Sequence, residues 1–134
     1  MITVFTNGCF DILHRAHVEL LEYCEGLGDK VIVGINSDAS VERIKGPGRP
    51  INSQDDRAYI LLSLKPVNEV IIFDENTPYN LIKSIKPDII VKGGDYLPND
   101  VIGHDISKVK IFKYVEGYST TGLIKRIESE NLRF

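Results

Sequence analysis

The sequence predicts an α/β fold in which about five parallel strands form a doubly wound sheet. Short β-branched or apolar runs recur five times along the chain, and polar residues or glycines follow each run. Segments with apolar residues at intervals of three and four separate most of these runs, as expected for intervening helices. A chain of 134 residues with 43% hydrophobic content can build one core of ordinary size. We therefore expect one domain over residues 1–134.

The first run and the segment after it organise the rest of the chain. Ile2–Thr6 is short and β-branched, and Asn7-Gly8 is typical of a turn that closes a strand. Helical spacing follows, so that one stripe of the segment can face a core; its positions are Leu13, His17, Leu20, Leu21 and Cys24. The predicted order is strand, glycine turn and helix.

The remaining elements follow in alternation. Strands are predicted at four further apolar runs, which are Lys30–Ile35, Glu69–Phe73, Asp88–Val91 and Lys110–Val115. Helices are predicted after capping or turn residues, at Ala39–Ile44 after Asp38, Gln54–Ser63 after Ser53, Tyr79–Ile85 after Thr77-Pro78, and from Ser119–Thr121 onward. Loops are predicted at Lys45–Asn52, Lys92–Tyr96, residues 97–108 with a surface His104, and Glu116–Tyr118.

His14 and His17 are candidates for an anion-binding site. The first turn of a helix has unpaired backbone N–H groups and the positive end of the helix dipole, which together attract anions. A spacing of three places both imidazoles on one side of that turn, where they can donate hydrogen bonds to phosphate oxygens. Two alternatives remain open: the pair could be partial metal ligands, although no nearby cysteine or histidine completes a set, or both could be ordinary core residues.

Charge and cysteine content exclude several classes of protein. A net charge of −3 and a pI near 5.6 argue against a general nucleic-acid binder. Two cysteines are too few for a disulfide framework and suit a reducing cytoplasm. Cys9 could be a nucleophile, but no paired His/Asp arrangement accompanies it. Without a signal peptide or an apolar run of roughly twenty residues, we expect a cytoplasmic protein that does not enter a membrane.

Several motifs together resemble a known family. Residues 6–17, Thr-Asn-Gly-Cys-Phe-Asp-Ile-Leu-His-Arg-Ala-His, are similar to the signature of the nucleotidyltransferase superfamily whose hallmark is His-x-Gly-His. Residues 117–124 are similar to its second signature, Ile-Ser-Thr-Thr. Together with Lys45-Gly46, Arg49-Pro50 and Val91–Tyr96, these motifs most resemble the heptose-1-phosphate adenylyltransferase domain. Ala16 departs from the pattern, since it occupies the position of the hallmark glycine.

The resemblance implies a fold and a set of site residues. It implies a Rossmann-like sheet in the order 3-2-1-4-5 with helices on both faces. The implied catalytic residues are His14, His17 and Lys45, and no residue is expected to bind a resident metal directly. The expected nucleotide-binding residues are Thr6, Gly8, Cys9, Phe10, Asp11, Gly93, Asp95, Ser119, Thr120 and Thr121, and the expected acceptor-binding residues are Asp38, Arg49 and Arg57. Asp11 is also expected to contact, through water, a Mg²⁺ ion that accompanies the triphosphate.

The function expected from the resemblance is transfer of AMP from ATP to a sugar phosphate such as heptose 1-phosphate, with release of pyrophosphate. CTP and glycerol 3-phosphate are the alternative substrates, but the arginine that the cytidylyltransferases carry aligns with Tyr114. A non-catalytic nucleotide-binding module is an alternative of another class. A dinucleotide oxidoreductase is not favoured, because Gly8 does not begin a Gly-x-Gly-x-x-Gly motif. The resembling family also leads us to expect a homodimer.

Overall fold

A computed structural model describes residues 1–114 and 119–131 of the chain. Five strands form one parallel sheet, and their bounds are β1 Thr3–Gly8, β2 Lys30–Asn36, β3 Glu69–Phe73, β4 Ile89–Gly93 and β5 Lys108–Phe112. The order across the sheet is β3-β2-β1-β4-β5, as predicted. In the central strand, Phe5 is aligned with Ile32 of β2 and with Ile90 of β4. The chain therefore winds outward from β1 in both directions.

Helices connect the strands. Their bounds are α1 Arg15–Leu27, α2 Asp38–Lys45, α3 Gln54–Leu62, α4 Tyr79–Ile85 and α5 Thr120–Asn131, with a short 3-10 turn at Pro98–Asp100. The predicted cap of α3 is confirmed, because the Ser53 hydroxyl accepts a hydrogen bond from the Asp56 N–H. The predicted cap of α2 was wrong by one residue. Ser37 accepts the N–H of Ser40, which leaves the carboxylate of Asp38 available for a different partner.

Apolar residues cover both faces of the sheet. Neighbouring residues of a strand point to opposite faces, so Val4 packs in one cluster with Leu20, Leu21 and Leu61 from α1 and α3. Phe5 packs in the other with Ile82 of α4 and Ile90. The sheet thus lies between two helical layers, as predicted for a doubly wound fold. Within the described ranges, no helix has the length and apolar character that crossing a membrane requires.

Several strand boundaries differ from those predicted. Asn7 and Gly8 were expected to form a turn, but they continue β1 because they align with Gly34 and Ile35 of β2. Similarly, Gly93 was expected within a turn, but it ends β4, where it aligns with Phe112 of β5. The fifth strand begins and ends earlier than expected. The predicted turn at Glu116–Tyr118 lies outside the described residues.

The composition of residues 97–108, after β4, predicts a mobile loop or a short irregular helix over the site. The 3-10 turn in this segment is followed by Val101, which is 4% exposed and packs against Ile82 and Ile90. Gly103 has φ +95°, and a Cβ atom there would lie 2.7 Å from Cδ1 of Ile90. The segment is therefore anchored in the core beneath α4, while His104 is exposed as predicted.

The guanidinium of Arg57 joins four segments around the carboxyl ends of β1 and β2. The residue is 1% exposed, so the group is removed from water and its N–H groups need partners. Nη1 donates to the carbonyl oxygens of Cys9 and Asn36, each at 2.8 Å. Nε donates to the carbonyl oxygen of Asn52 at 3.0 Å, and Nη2 donates to Oδ1 of Asp38 at 2.9 Å.

This arrangement corrects the expected acceptor-binding role of Arg57. Four hydrogen bonds and burial leave its guanidinium no surface for a substrate. Asp38 is likewise bound to Arg57, so its oxygen serves the same network. Arg57 therefore positions the loops that carry the site, and Asp38, whose side chain is 45% exposed, lines neither of the two cavities described below.

We predict that Arg57→Met destabilises the fold strongly. Methionine keeps the stem but leaves three carbonyl oxygens without a donor, which costs roughly 3 kcal/mol of unfolding free energy. Arg15→Met is the control, because the Arg15 side chain is 71% exposed and pairs with Glu19 on the surface of α1; its loss costs less than about 1 kcal/mol. Urea unfolding measures both, and equal unfolding free energies for the two variants would contradict this role.

Candidate active site

The carboxyl ends of β1 and β4 open into a cavity of about 310 Å³. This is the switch point of the sheet, where the connections on either side of β1 leave in opposite directions. Of the predicted site residues, those that line the cavity are Gly8–Asp11, His14, His17, Lys45, Arg49 and Ser119–Thr121. Segments far apart in the sequence therefore meet at one place.

The connection between β1 and α1 has an unusual backbone. Phe10 and Ile12 have φ values of 50° and 47°, a region that side-chain-bearing residues seldom adopt. The carboxylate of Asp11 between them accepts the N–H groups of Ile51 at 2.6 Å and Asn52 at 2.9 Å. These bonds fasten the loop after α2 to the loop before α1.

The carboxylate of Asp11, which was expected to contact Mg²⁺ through water, is engaged by groups of the protein. The residue is 1% exposed, and besides the two backbone donors its Oδ2 lies 3.7 Å from Nε of Arg49. Across the described ranges, no group of three His, Cys, Asp or Glu side chains is arranged to hold a metal ion. The carboxylate shapes the loop around the cavity.

His14 and His17 form a stacked pair at the entrance to α1. Their ring centroids are 3.9 Å apart with an interplanar angle of 24°. His14 was expected inside the first helical turn, but it is the N-cap residue in an extended conformation, with φ −137° and ψ 178°. Its backbone N–H donates to Nδ1 of His17 at 3.2 Å. That nitrogen is therefore the acceptor, and in the neutral ring the proton lies on Nε2.

Both imidazoles are neutral at pH 7. Burial lowers the pKa of His17 to about 4, and the neighbouring His14 contributes to this shift. Burial also lowers the pKa of His14. A neutral imidazole still donates one hydrogen bond, so the pair can contact phosphate oxygens without itself carrying charge. The positive charge of the cavity comes from other residues.

Lys45 and Arg49 supply that charge. Lys45 is the last residue of α2, and Arg49 follows in the loop with its side chain 16% exposed. Cys9 lies near these cations, which lower the pKa of its thiol, but burial has the larger effect and raises it. A thiol of this kind stays protonated at neutral pH, which argues against the nucleophilic role weighed from the sequence.

The N-terminus of α5 meets the β1–α1 connection. The hydroxyl of Thr120 donates to the carbonyl oxygen of Asp11 at 2.5 Å, and Ser119 accepts the N–H of Gly122 at 2.9 Å. Thr121 completes the hydroxyl-bearing wall of the cavity. Two helix N-termini, those of α1 and α5, thus face the same space and favour an anion there.

Three predicted nucleotide-binding residues do not line this cavity. The hydroxyl of Thr6 is buried and donates to the carbonyl oxygen of Val91 at 2.9 Å, so it is engaged between β1 and β4. A Cβ atom on Gly93 would lie 2.3 Å from the Tyr114 ring, so the glycine makes room for that ring. Asp95 is exposed and lines neither this cavity nor its neighbour.

Asn7, Lys92 and Tyr114 line the cavity but were not predicted as site residues. Asn7 and Lys92 lie at the carboxyl ends of β1 and β4, and Tyr114 follows β5. Position relative to the strand ends was the available signal, because ligands of doubly wound sheets bind there.

We predict that His17 makes the fold sensitive to acid. Its imidazole takes up a proton near pH 6.5 in the unfolded chain but only near pH 4 in the folded one. Between these values the unfolded state binds more protons, so the unfolding free energy falls as the pH falls from 6.5 towards 4. Urea unfolding at pH 7.5 and pH 5 should show a smaller loss for His17→Asn than for the unaltered protein. Equal losses would contradict the burial of this ring.

Comparison with known proteins agrees with this geometry. A family model described as Cytidylyltransferase-like matches residues 5–129. The chain is similar to the bifunctional protein HldE of a Nitratiruptor species, with 60% identity over 127 residues, which cover 94% of this chain and 28% of that protein. It is also similar to HldE of Helicobacter pylori strain Shi470, with 53% identity over 126 residues, 93% of this chain and 27% of that protein. The chain thus spans just over a quarter of the length of these relatives.

A solved structure with related sequence shows the same architecture. The lipopolysaccharide core biosynthesis protein from Thermoplasma volcanium GSS1 has a TM-score of 0.72 and 28% identity, covering 89% of this chain and 99% of that one. The pantoate-beta-alanine ligase from Francisella tularensis has a TM-score of 0.60 but only 17% identity, covering 99% of this chain and 72% of that one, and it shows the fold alone. On the match that runs from residue 5 to residue 129, the chain belongs to the cytidylyltransferase-like family.

Proposed function

We propose that this chain transfers an adenylyl group from ATP to a sugar phosphate such as heptose 1-phosphate and releases pyrophosphate. The observation that carries the proposal is one cavity in which the stacked His14–His17 pair, two cations and the N-termini of α1 and α5 converge. Every one of these groups favours an anion, and the thiol beside them stays protonated. Such a set suits a reaction in which charge is redistributed among phosphate oxygens.

The chemistry needs no covalent intermediate with the protein. An oxygen of the acceptor's phosphate attacks the α-phosphorus of ATP, and a new P–O bond forms. The bond from the α-phosphorus to the oxygen bridging it to the β-phosphorus breaks, and its electron pair leaves with pyrophosphate. The attacking phosphate oxygen is already ionised, so no proton must be removed from it. Catalysis then consists of alignment and stabilisation of charge.

The chain's own residues divide that task. Nε2–H of His17 donates to an α-phosphate oxygen, since Nδ1 is occupied by the N–H of His14. Lys45 and Arg49 neutralise the β- and γ-phosphates that depart as pyrophosphate. Ser119 and Thr121, at the N-terminus of α5, hold the phosphate chain from the opposite wall. The neutral imidazoles donate to the developing charge without forming a fixed ion pair with the substrate.

ATP and a heptose phosphate are the proposed substrates for two reasons. The motifs resemble the heptose-1-phosphate adenylyltransferase domain, and the curated relatives at 60% and 53% identity are HldE proteins. Tyr114 lines the cavity at the position where the cytidylyltransferases carry arginine, so a neutral ring replaces that cation. CTP with glycerol 3-phosphate is consequently the second choice. Mg²⁺ would enter as the counter-ion of the triphosphate, and we assign no residue of the chain to it.

A cytoplasmic location and a homodimer complete the proposal. Both follow from the resemblance to nucleotidyltransferases, and sedimentation velocity of the purified chain tests the dimer. Ala16 is buried within α1 at 1% exposure. Because Ala16 replaces the glycine of the family hallmark, it is the feature that favours the alternative of a non-catalytic nucleotide-binding module. The experiment must therefore measure turnover as well as binding.

A pyrophosphate-release screen tests the substrates. We expect release with ATP and heptose 1-phosphate, and weaker or no release when CTP, GTP or UTP replaces ATP or when glycerol 3-phosphate or ribitol 5-phosphate replaces the sugar phosphate. Release with CTP and glycerol 3-phosphate alone would establish the second choice. ATP binding without release from any pair would establish the non-catalytic module.

We predict that His17→Ala and His14→Ala each lower kcat about a hundred- to a thousandfold. Loss of one hydrogen-bond donor to the transferring phosphate raises the activation free energy by roughly 3 to 4 kcal/mol. Circular dichroism should show a folded protein in both cases. His104→Ala is the matched control, since this exposed histidine lines neither cavity. Turnover at the unaltered rate in either of the first two variants would refute the mechanism.

A further inference from the structure

A second cavity of about 200 Å³ adjoins the first. Asn7 and Lys92 line both cavities, so these two side chains form the wall between them. The rest of the second cavity comes from the connection between β3 and α4, at Asn76–Pro78, and from the segment after β4, at Tyr96 and Asp100–Ile102.

Lys92 is a cation that has no ion pair within the described parts of the chain. The ion pairs among residues 1–114 and 119–131 all involve other side chains. Its ammonium lies 5.2 Å from the centroid of the Tyr96 ring, and burial lowers the pKa of Lys92. Lys45, a second cation, is close enough to lower that pKa as well. A half-buried cation that no carboxylate of the described residues neutralises favours an anion beside it.

The second cavity has the lining that a sugar phosphate requires. Asn76, Thr77, Tyr96 and Asp100 bring amide, hydroxyl and carboxylate groups that can bond to sugar hydroxyls. Asn76 accepts from Nε of Arg43 through Oδ1, which leaves its amide N–H groups for a ligand. Pro78 and the segment after β4 add an apolar face against which a ring can lie. Among the described residues of this lining, Lys92 is the one cation, and it lies at the end that meets the nucleotide cavity.

The arrangement of the two cavities agrees with an in-line displacement. In such a reaction the attacking oxygen and the leaving pyrophosphate lie on opposite sides of the α-phosphorus. Lys45, Arg49 and the N-terminus of α5 lie on the first-cavity side, where pyrophosphate would depart. An acceptor in the second cavity would approach from the other side of the wall that Lys92 forms.

We infer that Lys92 binds the phosphate of the acceptor sugar, with the sugar itself in the second cavity, and so places the attacking oxygen against the α-phosphorus. This inference rests on the proposed function for the identity of the acceptor. It differs from the acceptor site expected at Asp38, Arg49 and Arg57. Asp38 and Arg57 pair with each other and line neither cavity, and Arg49 lines the first cavity. Lys92 is thereby a binding residue that selects anionic acceptors.

Lys92→Met tests the assignment, because methionine keeps an unbranched stem and removes only the charge. The expected result is a KM for heptose 1-phosphate raised about 10- to 100-fold, the effect of losing one charge-assisted hydrogen bond. The KM for ATP should change less than about threefold. Lys108→Met is the matched control, since Lys108 begins β5 and so lies at the amino ends of the strands, away from both cavities. A rise confined to the KM for ATP, or no change in either KM, would overturn the assignment.

Calorimetric titration with heptose 1-phosphate in the absence of nucleotide gives a second readout. The unaltered protein should bind heptose 1-phosphate, and its affinity for heptose without phosphate should be about 10- to 100-fold lower. The Lys92→Met variant should bind the two ligands with the same affinity. Failure of the unaltered protein to bind heptose 1-phosphate would overturn the assignment. Binding that depends on Lys92 but yields no pyrophosphate would refute the proposed function alone.

Discussion

The buried guanidinium of Arg57 is the constraint on which the candidate site depends. A guanidinium without water must satisfy its donors within the protein, and here it does so with carbonyl oxygens from the ends of β1 and β2, the loop after α2 and a carboxylate of α2. Hydrogen bonds to one group therefore fix the mutual positions of these segments. The carboxylate of Asp11 adds two hydrogen bonds to the same loop, from the N–H groups of Ile51 and Asn52.

That rigidity explains how neutral histidines can serve an anion site. The N–H of His14 fixes the tautomer of His17, and stacking fixes the angle between the rings. Burial keeps both uncharged, so they add donors without adding to the repulsion between Lys45, Arg49 and Lys92. In the proposed reaction, charge is balanced by cations and helix N-termini at the edges, while the imidazoles contact the phosphate at the centre. Groups held in place in this way need no reorganisation as charge moves.

The topology of the sheet accounts for two adjoining cavities. Because β1 is central and its neighbours wind in opposite directions, the helical layers part above its carboxyl end. One opening lies towards α1 and α5, and the other lies towards α4 and the segment after β4. Asn7 on β1 and Lys92 on β4 stand between them. A transferase that joins two phosphates needs two such spaces with a common wall, and a doubly wound sheet provides them at its switch point.

The sequence by itself determined the parallel sheet and the convergence of residues 6–17 with Ser119–Thr121, because hydrophobic periodicity and local motifs depend on residues close together in the chain. The resemblance to the nucleotidyltransferases added the strand order. Tertiary structure decided which polar groups remain available to a ligand. Thr6, Asp11, Asp38 and Arg57 have the chemistry of phosphate or metal ligands, but partners up to 85 residues away engage them. Lys92, in a predicted turn, proved to be a half-buried cation at the wall between two cavities. Whether a charged group is satisfied depends on contacts between distant segments, and no local pattern encodes them.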